Sequence, residues 1–164
     1  MGGTREKLQS LGVQTLAIIE DRLEPVRRYF RLRPPRVLLA ADPDRGTYRS
    51  FGVPMPPRTA EYQQAREVIR INPTGELPEP LSIPAAQKRL DEMDRMGDSV
   101  EAQEVLRQLP PRDFTIHAGH FLLDRDGVVR WTRIEASVDD LSGWGRFPSD
   151  DELLVATRAL PKHP

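Results

Sequence analysis

The sequence predicts an α/β fold in which helices cover a mixed β-sheet. Two short apolar runs, residues 13–19 and 36–41, flank a segment with helical periodicity, and this β-α-β order is typical of a parallel strand pair. Two later apolar runs, residues 120–124 and 128–136, are joined by a short turn and predict an antiparallel hairpin. The length of 164 residues suits one hydrophobic core, so we expect a single domain over residues 1–164.

The N-terminal part begins with a helix and a strand. Residues 4–11 have helical character, and Gly12 is well placed to end that helix. The almost continuous apolar run that follows suits a strand covered on both faces. Asp21 and Glu24 have the spacing of a capping box for the next helix. Asp44 is expected to cap a short helix after the second strand.

The middle of the chain, residues 54–112, has a different composition. It is rich in proline and contains three polar segments with helical character, residues 59–69, 84–96 and 99–109. Its apolar residues are too few for an independent core. We therefore interpret it as a Pro-rich helical insertion that packs over one edge of the domain.

The C-terminal part contains the hairpin turn and a last helix. Asp124 and Asp126 resemble a carboxylate pair, but they flank a turn that ends in Gly127, where Asp favours local hydrogen bonds over catalysis. Ser149 and Glu152 have capping-box spacing at the start of the last helix. The predicted buried stripe of that helix is Leu153, Leu154, Thr157 and Leu160.

The composition disfavours several classes of protein. No cysteine is present, so the chain has no disulfide, no cysteine-bound zinc and no catalytic thiol. The formal net charge of −1 gives no nucleic-acid footprint, and no apolar run approaches the ~20 residues that span a bilayer. Phosphate-binding and dinucleotide fingerprints and a signal peptide are also lacking. We expect a cytoplasmic protein that binds no nucleic acid, membrane or cofactor.

His117 and His120, with Asp113 nearby, are the candidate metal ligands. Residues three apart on an extended strand point to opposite faces, so the two imidazoles would diverge. They would converge if the chain turned before Gly119. We interpret them as polar residues at the entry of a strand and keep a metal or acid–base site as the alternative.

Three polar or aromatic residues share one face of the last predicted strand. Trp131, Arg133 and Glu135 alternate along it, and the first two are spaced for a cation–π contact. We favour a structural contact at this edge over a binding site.

The order of these elements is that of the C-terminal part of a thioredoxin fold. Three stretches, LGVQTLAIIEDRLEPVRRYF, LLAADPDRGTYRSFGV and GHFLLDRDGVVRWTRIEA with the later FPSDDELLVATRAL, resemble the redoxin group, the alkyl hydroperoxide reductase and thiol-specific antioxidant family. Within that family the chain is most similar to peroxiredoxin-like proteins with a Pro-rich insertion. The resemblance covers residues 4–160. It implies a thioredoxin-like three-layer sandwich with a mixed sheet, and an antioxidant oxidoreductase that reduces peroxides or disulfides.

The same resemblance implies that the active-site end of the fold is missing. In this family a central strand leads into the loop and helix that carry the catalytic cysteine, whereas this chain begins in the later half of that helix, with TREKLQSLGV from Thr4 onward. The position that holds Arg in peroxiredoxins, or a cis-proline in thioredoxin-like relatives, is Ala118. The resemblance therefore implies an N-terminally truncated, redox-inactive form with no assignable catalytic residue.

The missing strand would lie between residues 13–19 and 120–124. Leaving these strands unpaired would cost ~1–3 kcal/mol for each backbone group that stays buried and unsatisfied. Three outcomes are open: the two strands pair directly, a homodimer or other partner supplies a strand, or the protein starts upstream of Met1. Two functions follow, a truncated thiol oxidoreductase and a non-catalytic thioredoxin-fold module that binds a partner through its sheet edge or its insertion.

Overall fold

The computed structural model describes most of the chain, in stretches separated by gaps. The described residues are 2–32, 34–55, 59–72, 75–96, 99–100, 103–104, 107, 117–136 and 143–161. They form helices and small two-stranded sheets, so the α/β class is confirmed. In chain order the elements are α1 (Gly2–Ser10), β1 (Leu16–Ile19), α2 (Leu23–Leu32), β2 (Leu38–Ala41), α3 (Gly46–Ser50), α4 (Ala60–Val68), β3 (Arg70–Ile71), β4 (Leu81–Ser82), α5 (Ile83–Met96), β5 (Gly119–Leu123), β6 (Val129–Ile134) and α6 (Asp150–Arg158).

The chain divides into two compact units. The first contains Met1–Thr47, Gly119–Ile134 and Pro148–Pro164, and the second contains Tyr48–Ala118 and Glu135–Phe147. The first unit therefore holds both predicted strand pairs, while the predicted insertion, residues 54–112, falls within the second. The expectation of a single domain over residues 1–164 stays a prediction.

The first strand pair is parallel, as predicted. Helix α1 ends at Ser10, and Gly12 has a φ of 80°, which lets the Val13 N–H donate to the Leu8 carbonyl at 3.0 Å. β1 then pairs with β2 in the register Leu16↔Leu38. Both strands are shorter than predicted, and the pair is not covered on both faces. Leu16 is 56% exposed and Leu38 67%.

The starts of α2 and α3 differ from the predictions. α2 begins at Leu23, so Asp21 lies before the cap position and its carboxylate accepts a hydrogen bond from the Arg22 N–H at 2.6 Å. In α3 the carboxylate of Asp42, which was not predicted as a cap, accepts from the N–H groups of Gly46 (3.1 Å) and Thr47 (2.7 Å). A turn between Asp42 and the helix, with Arg45 at a φ of 56°, brings that carboxylate over the first turn.

The predicted antiparallel hairpin is formed by β5 and β6. The register runs from Gly119↔Ile134 to Leu123↔Val129, with a bulge between Leu122 and Leu123 that the sequence did not indicate. In the turn, one oxygen of the Asp124 carboxylate accepts from two backbone N–H groups and the other from Arg130 Nε at 2.6 Å. The predicted turn role of Asp124 is therefore confirmed.

The last helix, α6, begins with the predicted capping box. The Ser149 hydroxyl accepts from the Glu152 N–H at 3.2 Å, and the Glu152 carboxylate accepts from the Ser149 N–H at 2.8 Å. At the next position Asp150 binds back to α1, pairing with Lys7 Nζ at 2.7 Å and accepting from the Thr4 hydroxyl. These contacts join the two helices within the first unit.

The two strand pairs of the first unit are not joined to each other in the described part of the chain. β1 has one hydrogen-bonded neighbour, β2, and β5 has one, β6. Direct pairing of β1 with β5, one of the three outcomes left open above, is therefore not adopted among the described residues.

The second unit is built on α4 and α5, which match the predicted helices 59–69 and 84–96 to within one residue at each end. Most of the third predicted helix, 99–109, lies outside the described residues. The short antiparallel pair β3–β4 was not predicted. The buried cluster of the second unit consists of Tyr62, Ile71, Leu77, Ile83, Ala86, Ala136 and Trp144. The last two come from outside the predicted insertion and help to supply the apolar area that the insertion lacks.

Candidate functional site

Ala118, the residue at the family's Arg or cis-Pro position, lies directly before β5. Its N–H donates to Glu135 Oε2 at 2.8 Å, and its carbonyl accepts from the Glu135 N–H at 2.9 Å. Its side chain is a methyl group, which offers neither a cation nor a ring to a substrate. Both backbone groups of Ala118 are thus bound by a single residue, Glu135.

Glu135 is the buried acid of this region, with 6% of its surface exposed. Its second carboxylate oxygen accepts from the Gly145 N–H, so the side chain joins Ala118 to the loop that contains Trp144. Burial raises the pKa of Glu135, and the two backbone N–H groups oppose that shift. Since both oxygens are held by backbone donors, the carboxylate is arranged to hold the chain in place.

The loop approaches Glu135 so closely that only glycine fits at position 143. A Cβ on Gly143 would overlap the backbone carbonyl oxygen of Glu135. The lack of a side chain at this position therefore allows the loop to reach Glu135 and its carboxylate.

His117 is fully buried beside two aromatic rings. Its Nε2 lies 3.1 Å from the Tyr62 hydroxyl oxygen, and its ring meets the Trp144 ring edge-on, with centroids 5.2 Å apart. Burial lowers the pKa of His117, and the Ala136 carbonyl opposes the shift, although Nδ1 makes no hydrogen bond of good geometry among the described residues. Burial thus favours the neutral imidazole.

A tyrosine bound to a neutral histidine is a chemically competent acid–base pair. Here, however, His117 has no exposed surface, and Tyr62 is 4% exposed. A substrate therefore does not reach the pair in this conformation. The arrangement anchors the residue that precedes Ala118 and β5.

Arg66 lies over the Trp144 ring, with its guanidinium carbon 5.5 Å from the ring centroid. Its terminal nitrogens donate to the side-chain oxygens of Gln63 at 3.2 Å and Gln87 at 3.1 Å. Two amides and one indole thus hold this cation in a fixed position at the edge of the buried cluster.

The two candidate metal ligands fall in different units. His117 belongs to the second unit, whereas His120 lies on β5 in the first, where burial lowers its pKa. Asp113 lies outside the described residues. Within those residues, no group of three or more His, Cys, Asp or Glu side chains is placed to hold a metal ion.

Comparisons with models of protein families, with curated proteins and with solved structures find no match to this chain. The redoxin resemblance therefore stays a prediction from the sequence. In the described stretches, no helix combines the length and apolar character needed to cross a membrane.

Sequence reasoning missed most of this buried arrangement. It placed Glu135 on a face with Trp131 and Arg133, but the carboxylate turns to Ala118 and Gly145. No cation–π contact joins Trp131 and Arg133 in the described part of the chain; that contact is made by Arg66 and Trp144. The available signal was the tryptophan between two glycines, a pattern typical of a close backbone approach.

Proposed function

We propose that this chain is a redox-inactive, thioredoxin-like module that binds one extended apolar strand of another polypeptide between β1 and β5. The observation that carries the proposal is the pairing of the strands. In the described residues β1 pairs with β2 and β5 with β6, and each strand has a single hydrogen-bonded neighbour. The redoxin resemblance puts a further strand between these two.

The composition of the two strands specifies the chemistry of the partner. β1 has the sequence LAII and β5 the sequence GHFLL. A strand inserted between them would be central in the sheet, and the apolar side chains of β1 and β5 beside it favour an apolar strand. The edges of β1 and β5 are four and five residues long, so the partner segment is an apolar strand of similar length, without proline.

Main-chain hydrogen bonds would supply most of the affinity. In β-augmentation the backbone of the added strand pairs with a sheet edge, and side-chain pockets give specificity. The contacts of Asp150 with Thr4 and Lys7 join α1 to α6 in the unit that contains both strands. These contacts support a framework that is already assembled before the partner strand binds.

The absence of cysteine supports the redox-inactive part of the proposal. Peroxide reduction needs a thiolate nucleophile of lowered pKa, and the chain contains no cysteine. Ala118 also lacks the cation that the family uses beside its thiolate. With dithiothreitol as reductant, we expect peroxide consumption at the rate of buffer alone, and measurable turnover would contradict this part.

The redoxin resemblance supports a second candidate function. The chain would be part of a thiol oxidoreductase, and another polypeptide would carry the thiolate. The strand order β2–β1 and the hairpin β5–β6 followed by α6 agree with it. The two candidates differ in one result. A cysteine-bearing strand restores peroxide turnover only under the second.

Amide exchange with a probe peptide tests the strand-binding proposal. The probe is a valine-rich peptide with lysines at its ends, and the control peptide carries proline in place of the central valine, which removes one N–H donor. We expect the probe to protect the amides of both β1 and β5 in a saturable manner and to leave β3–β4 unchanged. No protection, or equal protection by the proline peptide, would contradict the proposal. Protection that grows with protein concentration alone would identify a second copy as the partner.

A further inference from the structure

An open pocket of about 380 Å³ lies in the first unit, at the N-terminal ends of the parallel strands β1 and β2. Its volume is within the range of small-molecule sites, ~300–1,000 Å³. The pocket is remote in the fold from the carboxyl ends of the strands. It is also built from residues that the strand-binding proposal does not use.

The strand register accounts for the shape of the pocket. β1 and β2 begin their pairing at Leu16↔Leu38, and the same offset sets Gln14 level with Arg36. Residues 13–15 and 35–37 thus continue side by side before the ladder starts, and both segments line the pocket. Pro35 has no N–H, so it cannot donate a ladder hydrogen bond at this end of the pair.

Helix α1 closes another side of the pocket with Arg5 and Gln9. These residues are four apart, so they lie one above the other on the same face of the helix. Arg5 and Arg36 are the charged residues of the lining, and no acidic side chain belongs to it. In the described part of the chain neither guanidinium pairs with a carboxylate.

Thr15 adds an unsatisfied polar group to the lining. Its Oγ1 is buried and has no hydrogen-bond partner among the described residues. Buried hydroxyls in native proteins nearly always have a partner, so Thr15 leaves an unmet hydrogen-bonding group in the wall beside the pocket. Val13, Val37 and Leu38 form an apolar wall of the same pocket.

We propose that this pocket binds a small organic anion, a carboxylate or phosphate head group on a compact apolar body. Arg5 and Arg36 neutralise the head group, and Gln9 and Gln14 complete its hydrogen bonds. The apolar body lies against the valine and leucine side chains. An anion bound in the cavity is attracted by both of the arginines that line it.

The test is an NMR titration of the ¹⁵N-labelled full chain with phenyl phosphate, and with 3-phenylpropionate to distinguish phosphate from carboxylate heads. Inorganic phosphate is the control for the head group alone, and phenol is the control for the apolar body alone. We expect saturable shifts at residues 13–15 and 36–38 and at the side-chain Nε–H of both arginines. Inorganic phosphate and phenol should each bind more weakly than phenyl phosphate.

Variants locate the binding in this pocket. Arg5→Gln and Arg36→Gln each should weaken phenyl phosphate binding about tenfold or more, because each removes a charge-assisted contact. Arg31→Gln, which removes an exposed arginine from α2 outside the pocket, should leave it unchanged. Both pocket arginines are exposed, so the variants should retain the spectrum of the folded protein. No saturable shift, phenol binding as tight as phenyl phosphate, or an equal loss in Arg31→Gln would overturn the proposal.

Discussion

The Tyr62 hydroxyl and Nε2 of the fully buried His117 lie within hydrogen-bond distance, 3.1 Å, inside the aromatic cluster of the second unit. The contact links α4 to the residue that enters β5 through Ala118. Because His117 is cut off from water, its Nε2 depends on the Tyr62 hydroxyl to satisfy its hydrogen-bonding capacity.

Tyr62→Phe should therefore destabilise the protein by about 1–3 kcal/mol, since it leaves the imidazole nitrogen buried without a partner. Urea unfolding followed by circular dichroism measures the loss. A double-mutant cycle with His117→Phe isolates the pair, because the Tyr62 change should cost much less once the imidazole is absent. Additive losses would show that the two groups are not coupled.

Stability should fall on mild acidification because of the buried histidines. The pKa of His117 and that of His120 are both lowered from 6.5 by burial, so the unfolded chain binds more protons than the folded one. Their contribution is complete above pH 6.5 and is lost as pH falls through the lowered values. Glu135 acts in the opposite direction. Its pKa is raised from 4.5, so its contribution to stability is complete below pH 4.5 and is lost as pH rises through the raised pKa.

Unfolding free energies measured between pH 7.5 and 5.5 test this dependence. His117→Gln and His120→Gln should each reduce the slope of the unfolding free energy against pH. His117→Gln should also lower the overall stability. A slope that both variants leave unchanged would rule out the histidines as its source.

Gly143→Ala should destabilise the second unit, because its methyl group would overlap the Glu135 carbonyl and force backbone to move. Overpacking of this kind costs about 1–3 kcal/mol. Gly3→Ala is the matched control: it lies in α1, and apart from its chain neighbours and the backbone of its own helix no described atom lies within 4 Å of the added carbon. It should be neutral or slightly stabilising through helix propensity. Equal effects at the two sites would contradict the close approach of the loop.

Asp42→Ala should cost about 1 kcal/mol through loss of the α3 cap. Asp44→Ala tests the position that the sequence favoured, and this variant should lose less stability than Asp42→Ala. Thermal unfolding of both variants ranks them. A larger effect at Asp44 would mean that the helix is capped from the later position.

The sequence predicted what depends on local chemistry. Ser149 and Glu152 formed the expected capping box, Gly12 marked the end of α1, and Asp124 took the expected place in the hairpin turn, because each acts on backbone within a few residues. The Asp21 cap was wrong, and Asp42 was not predicted as a cap of α3, because the geometry of each turn, and not residue type, decides which carboxylate reaches a helix N-terminus.

The candidate site was less predictable because its parts are distant in sequence. Tyr62, His117 and Trp144 meet only through tertiary packing, and an alternating strand pattern gave no indication that Glu135 would turn to Gly145. The strand neighbours of β1 and β5 are likewise a property of the whole sheet. Periodicity identified the strands without settling what lies beside them.

Isotope-filtered NOE spectra of the labelled chain with the unlabelled valine-rich peptide test whether the peptide inserts between β1 and β5, because they detect which strands lie beside the peptide backbone. We expect contacts from one peptide to both β1 and β5, at positions that include Ala17 and Leu122. Contacts to one of these strands alone, or to neither at saturating peptide, would contradict it.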